Sequence, residues 1–296
     1  MTSVGAVVLN YRRWPGTLQV VRSLQGQTHP PDEVLVVDNA SGSDEVEAIE
    51  SDRSGFELLA LAENGGYAAG MNAGITQLLT RGVDAVLLLT HDARLEPDCL
   101  ELLMAEIARR PATAVASPVL GWEGHPDVTW SAGGALMPLT GTPHHPDKQA
   151  PLASALAAPT RSVAWCDGSV LLVRSVVFAE VGLLPEKYFL YFEEVDFQTR
   201  IRRTGRDIRV VSGALAWQSP GHTPVYLAVR NQLLFLRTHR RRSVPFFLLI
   251  VVSRCAKEFV KRVLRPGSDL RRARAMSHGI RDGFTGRLRK ELFSLG

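Results

Sequence analysis

Glu33-Val34-Leu35-Val36-Val37-Asp38-Asn39-Ala40-Ser41 is the stretch that decides the fold. A short, near-continuous apolar run ends abruptly on turn-forming polar residues. That is the signature of a strand buried on both faces. The same pattern occurs on either side of it. Residues 4–9 are an apolar strand stopping at Asn10, residues 56–60 a third, and residues 83–89 a fourth that stops at Thr90-His91-Asp92. Helical patterns alternate with these runs. Residues 17–25 carry Leu18, Val21 and Leu24 on one side, a polar acidic helix starts near Ser43, and residues 68–80 follow Asn64-Gly65-Gly66-Tyr67. Repeated βα units of this kind predict an α/β fold, a Rossmann-like, mostly parallel central sheet with flanking helices. In such sheets the ligand lies at the carboxyl ends of the strands. Asn10, Asp38, Asn39 and Asp92 all fall there.

The rest of the chain is less regular. Residues 97–110 read as a helix, residues 121–151 are rich in Gly, Pro and His and read as strands with a loop, and residues 163–174 read as a strand region. A helix is expected over 195–203 with Phe197 and Ile201 inward, then a short strand at 209–211, and from Tyr226 the pattern is helical and basic. At 296 residues and 45% hydrophobic, the chain can bury a large core. Three widely spaced cysteines form neither a disulfide framework nor a metal pattern, which favours a reducing compartment. Residues 1–8 lack the basic start of a secretory signal, so none is expected.

The densest chemistry is Tyr188-Phe189-Leu190-Tyr191-Phe192-Glu193-Glu194-Val195-Asp196-Phe197. Three carboxylates within four residues, set among aromatics, invite raised pKa values. Such a cluster suits a general base or a metal ligand. Acidic residues at a helix N-terminus, favoured by the macrodipole, are the plainer explanation. Asp38 and Asn39 suit a base or ribose, or else a turn. The Gly-rich run 64–70 enters a helix and allows close backbone approach, but it is neither a Walker loop nor G-x-G-x-x-G. Asp92 can hold a divalent cation, since Mg2+ commonly takes one or two carboxylates and completes its shell with phosphate and water. It can equally cap the following helix. His91 reads as a surface histidine.

Taken together, Val7-Val8-Leu9-Asn10-Tyr11, Val36-Val37-Asp38-Asn39-Ala40-Ser41, Asn64-Gly65-Gly66-Tyr67-Ala68-Ala69-Gly70-Met71-Asn72 and Thr90-His91-Asp92-Ala93 resemble family 2 glycosyltransferases, most of all the rhamnosyltransferase-like branch. Gly182-Leu183-Leu184-Pro185-Glu186 with the acidic stretch resembles that family's acidic signature, and Arg230-Asn231-Gln232-Leu233-Leu234-Phe235-Leu236-Arg237 its C-terminal helix. The likeness spans about residues 4–239. It implies a GT-A fold and an inverting, metal-assisted transfer from a nucleoside diphosphate sugar. Asp38 would then contact the nucleoside, Asp92 would bind Mg2+ or Mn2+, and Glu194 would occupy the base position, with Asp196 supporting that site or the acceptor. Asn10, Tyr11, Asn39, Asn64, Gly65, Gly66, Tyr67, Asn72, Asp167, Glu193 and Arg230 complete the expected substrate contacts. Some positions depart from the family pattern. Thr90 stands where Asn or Asp is usual, Glu194 replaces the commoner Asp, and Gln218 stands where many relatives carry a metal-ligating His. His222, four residues on, is the expected substitute ligand. Asp167 replaces a small or neutral residue and either touches the acceptor or caps a strand end.

Charge divides the chain. Residues 237–296 hold 16 Lys and Arg against 4 Asp and Glu, while residues 1–236 hold 18 against 26. A basic tail on an acidic body suits an anionic membrane surface. Val244-Pro245-Phe246-Phe247-Leu248-Leu249-Ile250-Val251-Val252 is far short of the about 20 apolar residues that a bilayer span requires. A helix packed on the catalytic domain and also lying near lipid is expected. Nucleic acid is a poorer partner, because no aromatic-basic binding motif accompanies the charge. The expected organisation is a GT-A catalytic domain over 1–238, its nucleotide-sugar half at 1–100 and acceptor half at 101–238, followed by a basic helical extension over 239–296. The expected donor is a dTDP- or UDP-linked sugar, rhamnose or another deoxysugar. The acceptor is a hydroxyl of a glycan, a lipid-linked sugar or a natural product. The expected location is cytoplasmic, peripheral on the inner face of the membrane. The rival readings are a nucleotidyltransferase, for which residues 10–16 make a poor phosphate loop, and a catalytically inactive relative, which Thr90 and Gln218 keep open.

Overall fold

The apolar runs of the first ninety residues become strands that bury both faces. In the computed structural model, which describes residues 2–219, 221, 223–264 and 270–294, they are β1 (Val4–Asn10), β2 (Glu33–Asp38), β3 (Glu57–Ala60) and β4 (Ala85–Thr90). β1 is buried at every position. It pairs in parallel with β2 on one side and β4 on the other, and β2 pairs in parallel with β3. Parallel neighbours need crossover connections, and α1 (Trp14–Gln25), α2 (Ser43–Ser51) and α3 (Tyr67–Thr80) supply them. Pro15 lies in the first turn of α1, where its missing N–H costs nothing. Trp14, Thr17, Val20, Val21 and Leu24 form the buried face of that helix.

The second half makes the sheet mixed. Its elements are β5 (Ala93–Leu95), α4 (Cys99–Arg109), β6 (Thr113–Trp122), β7 (His125–Ser131), β8 (Ala135–Leu136), β9 (Pro143–His144), α5 (Leu152–Ala157), β10 (Arg161–Ser162), β11 (Val170–Arg174), α6 (Ser175–Val181), α7 (Glu193–Arg203) and β12 (Asp207–Gln218). β11 runs antiparallel between β4 and β6, and β12 lies parallel to β6 and antiparallel to β5. The strand order is β10-β12-β6-β11-β4-β1-β2-β3. β12 is twelve residues long, where the sequence suggests only 209–211. Register shifts lie between Asp207 and Ile208 and between Val211 and Leu215, and Gly213 sits at φ +82°. Bulges of this kind interrupt the alternation by which a strand is read.

Val8, Val36, Leu87, Leu89 and Leu172 of the sheet pack with Cys99, Leu103 and Ile107 of α4 in one core. Within it Glu106 meets Arg209 at 2.7 Å, both nearly buried, tying α4 to β12. A buried pair of this kind fixes register more surely than it adds stability.

The contacts divide the chain into two compact units, one of residues 1–135, 145–189 and 193–220, the other of residues 136–144, 190–192 and 221–296. The second unit is helical: α8 (Val225–His239), α9 (Val244–Leu264) and α10 (Arg271–Thr285). α8 and α10 approach closely. A Cβ on Gly279 would lie 2.9 Å from Val229, and one on Gly283 2.9 Å from Leu233. Tyr226 donates to Asp282 at 2.9 Å, and Asp282 also pairs with Arg289 at 2.8 Å. Among the described residues, no helix is long and apolar enough to cross a membrane.

Candidate active site

The site begins where β1 and β2 end side by side, Asn10 paired with Asp38. Both are fully buried. Asn10 donates to Asp38 at 2.8 Å and accepts from the Thr17 hydroxyl at 2.7 Å. Asp38 also accepts from the Ser41 hydroxyl at 2.5 Å and the Ser41 N–H at 2.9 Å. The carboxylate thus organises its own turn, and a nucleoside would compete with Asn10 or Ser41 for it. Asn39 donates to the Asn64 side chain at 3.1 Å and the Gly66 carbonyl at 3.0 Å, while its own Oδ1 is buried without a donor. Tyr11, by contrast, is exposed beside Arg12.

The Gly-rich run is a joint. Asn64 accepts from the Gly66 N–H at 2.9 Å, and Gly66 holds φ +92°. A Cβ there would overlap the Phe189 carbonyl oxygen, which accepts from Tyr67 N–H at 2.8 Å. A Cβ on Gly65 would press on Ala69. Gly66→Ala should therefore cost about 2–4 kcal/mol and weaken donor binding, as overpacking and a forbidden φ combine; urea unfolding and donor titration measure both. Asn72 faces another task. It donates to the Leu184 carbonyl and Glu186, both at 2.9 Å, and accepts from Leu184 N–H at 3.0 Å, clamping α3 to residues 184–186. The strain continues in the aromatic stretch: Phe189, Tyr191 and Phe192 hold φ +70°, +69° and +80°. Non-glycine residues in that region cost about 1–3 kcal/mol each and cluster at functional sites. Asn231 of α8 donates to the Leu190 and Tyr191 carbonyls at 2.8 and 2.9 Å.

β11 brings Asp167-Gly168-Ser169 alongside the end of β4, since Thr90 N–H donates to the Ser169 carbonyl at 3.2 Å. The Thr90 hydroxyl donates to Asp92 at 2.6 Å, fixing one carboxylate oxygen. Burial lowers the pKa of His91, as does Arg13, while Asp92 opposes them. Asp167 accepts from the Ser169 hydroxyl at 2.5 Å and from Trp130 at 3.2 Å, and His145 lies 3.7 Å away. Trp130, His145 and Trp165 form a chain of adjoining rings there. Sequence reading missed Trp130 and His145. The only signal was the Gly-, Pro- and His-rich composition of residues 121–151.

α7 presents its carboxylates in its first turn. Glu194 is half-buried beside Gly168, where an added Cβ would sit 3.4 Å from Glu194 and 3.2 Å from the Tyr67 hydroxyl. Burial, then the charges of Glu193 and Asp167, push the Glu194 pKa well above the ordinary carboxylate range; the N–H groups of Glu194 and Val195 pull the other way. The Tyr67 hydroxyl donates to the Gly168 carbonyl at 2.6 Å, and burial followed by Glu193, Glu194 and Asp167 keeps it protonated. Asp196 is treated oppositely. It is buried, accepts from Tyr188 at 2.7 Å, and pairs with Lys187 at 3.0 Å and Arg200 at 3.2 Å. Glu193 is buried next to Glu194.

Asp92, Asp167, Glu194 and Tyr67 are thus linked through residues 168 and 169. Arg230 belongs to the helical unit, 1% exposed, donating to the Arg287 carbonyl at 2.6 Å, the Gly286 carbonyl at 3.1 Å and Asn231 at 2.6 Å. His222 lies outside the described residues. Among the described residues, no group of three or more His, Cys, Asp or Glu side chains could hold a metal ion. The oxygens present still suit a hard cation whose remaining ligands are phosphate and water. Asp92 offers a carboxylate. Gln218, paired with Ala93 just beyond it, keeps a buried side-chain oxygen with no donor.

The family model of glycosyl transferase family 2 matches residues 6–164. An N-acetylglucosaminyl-diphospho-decaprenol L-rhamnosyltransferase of Mycobacterium tuberculosis (strain CDC 1551 / Oshkosh) is 29% identical over 225 residues, 69% of this chain and 72% of that protein. The low-salt glycan biosynthesis hexosyltransferase Agl10 of Haloferax volcanii is 25% identical over 245 residues, 79% of this chain and 75% of that protein. Among solved structures, GalNAc-T7 with UDP, GalNAc and Mn2+ is similar with a TM-score of 0.62 at 13% identity, covering 80% of this chain and 48% of that one, so this chain spans about half its length. S. aureus TarS 1–349 in complex with UDP-GlcNAc is similar with a TM-score of 0.58 at 16% identity, covering 98% of this chain and 83% of that one. With a family model covering more than half its length and a GT-A sheet beneath the site, the chain belongs to glycosyl transferase family 2.

Proposed function

We propose that this glycosyltransferase moves a sugar from a nucleoside diphosphate donor to a hydroxyl acceptor with inversion, Glu194 acting as the base. The observation that carries the reading is the contrast on one helical turn. Glu194 is left with a raised pKa, whereas Asp196 is paired with Lys187 and Arg200 and accepts a hydrogen bond from Tyr188. A base with a pKa lifted toward the working pH is the better proton acceptor. Glu194 takes the acceptor hydroxyl proton, the acceptor oxygen bonds to the anomeric carbon, and the bond to the diphosphate breaks with its electron pair leaving on the nucleoside diphosphate. Tyr67, kept protonated, holds the Gly168 carbonyl and with it the backbone beside Glu194. Asp196 positions the helix turn. Asp92, with the Gln218 oxygen as further ligand, would hold Mg2+ or Mn2+, which when bound would supply charge neutralisation on the leaving diphosphate.

The strand-end residues Asn10, Asp38, Asn39 and Asn64 through Tyr67 are assigned to the nucleotide, and Asp167 and Glu193 to the acceptor side. Catalysis is assigned to residues 1–238 and the basic extension to 239–296. A dTDP- or UDP-linked donor carrying rhamnose or another deoxysugar, and a lipid-linked sugar acceptor, are favoured by the motif resemblance and by the name of the mycobacterial relative.

The test is incubation with UDP- and dTDP-sugars and Mn2+, with the released product and the anomeric configuration of any glycoside read by NMR. Nucleoside diphosphate and an inverted linkage are expected. Pyrophosphate release would favour nucleotidyl transfer, and a retained linkage would remove Glu194 from the base role. No release with no donor-induced thermal shift would favour an inactive relative.

A further inference from the structure

α9 buries fewer residues than α8 or α10. This helix buries only Phe247 and Val251, while Leu249, Val252, Val260 and Val263 are 70%, 55%, 56% and 78% exposed. At 3.6 residues per turn those four side chains fall within an arc of about 80°. Arg254, Lys257 and Lys261, also exposed, fall within an adjoining arc of about 60°. Among the described residues, the helix therefore exposes an apolar stripe beside a basic one. Its one acidic residue, Glu258, pairs with Lys261 at 2.9 Å.

We propose that α9 is an interfacial helix that lies in the plane of an anionic lipid bilayer, its apolar stripe among the acyl chains and its basic stripe against the headgroups. Charge decides the occupant. Residues 237–296 hold 16 Lys and Arg against 4 Asp and Glu, so a second copy would bring like charge against like. An anionic surface attracts each of those cations and accepts the apolar stripe directly beside them. The helix is not apolar enough to cross the bilayer, which leaves the interface. This inference does not rest on the transferase reading, because lipid binding needs neither donor nor acceptor.

The experiment is flotation of the full chain with vesicles of phosphatidylcholine alone and of phosphatidylcholine mixed with phosphatidylglycerol. The chain should float with the mixed vesicles and stay behind with the neutral ones. The double variant Val252→Asp/Val260→Asp, both sites exposed, should abolish flotation with its thermal unfolding unchanged. Lys257→Ala/Lys261→Ala should weaken partitioning about 30-fold. No flotation with the mixed vesicles, or flotation untouched by Val252→Asp/Val260→Asp, would overturn the proposal. So would vesicle-free self-association that the same double variant abolishes, which would give the stripe to a second copy.

Discussion

Glu194→Gln is expected to lower kcat by about 10²–10⁴-fold, the usual contribution of a positioned base, while leaving donor affinity within about twofold. The substitution keeps the shape of the side chain and removes its capacity to accept a proton. Donor affinity should survive because the residues assigned to the nucleotide lie at the ends of β1 and β2 and in the turn that enters α3, not on α7. The contrasting variant is Asp196→Asn. Its carboxylate is buried and pairs with Lys187 and Arg200, so its loss should appear first as reduced stability. Single-turnover kinetics and urea unfolding on both variants separate the two roles. If Asp196→Asn abolishes transfer in a fully stable protein while Glu194→Gln remains active, the assignment is reversed.

The second large effect is expected at Asp92. Asp92→Asn should lower kcat/KM by about 10²-fold or more, since a bound cation is worth several kcal/mol of charge stabilisation at the leaving group. It should also remove the extra thermal stabilisation that Mn2+ adds to nucleoside diphosphate binding. The Thr90 hydroxyl donates to one oxygen of Asp92 at 2.6 Å and leaves the other open to a cation. A single carboxylate suits a cation that takes its remaining ligands from the diphosphate and water. Full metal-dependent activity in Asp92→Asn would move the cation elsewhere.

Much of this was legible in the sequence because parallel strands buried on both faces read as unbroken apolar runs. β1, β2 and β4 were each located to within two residues at either end, and their polar endings marked where ligand chemistry gathers. β12 was underestimated because its bulges and Gly213 split the pattern. The antiparallel placement of β11 was invisible, since an apolar pentapeptide carries no direction, yet that placement is what brings Asp167 and Gly168 to Thr90 and Glu194. Arg230 illustrates a second limit. A helix motif names the residue, but only packing reveals that its guanidinium donates to the carbonyls following α10 and to Asn231. The motif resemblance puts Glu194 at the base position with Asp196 in support, and their different surroundings, Lys187, Arg200 and Tyr188 around Asp196 and Asp167 near Glu194, come only from the packing.

The most direct measurement is the pH profile of kcat/KM for the wild-type chain and for Asp167→Asn. A base works only when ionised, so activity rises as pH rises through its pKa. Burial, Glu193 and Asp167 all raise the Glu194 pKa above its ordinary value of 4.5, so the acid limb should lie well above that value. Removing the Asp167 charge lowers the pKa, and the limb should then move to lower pH. An acid limb at the ordinary carboxylate position, unmoved by Asp167→Asn, would contradict Glu194 as the proton acceptor.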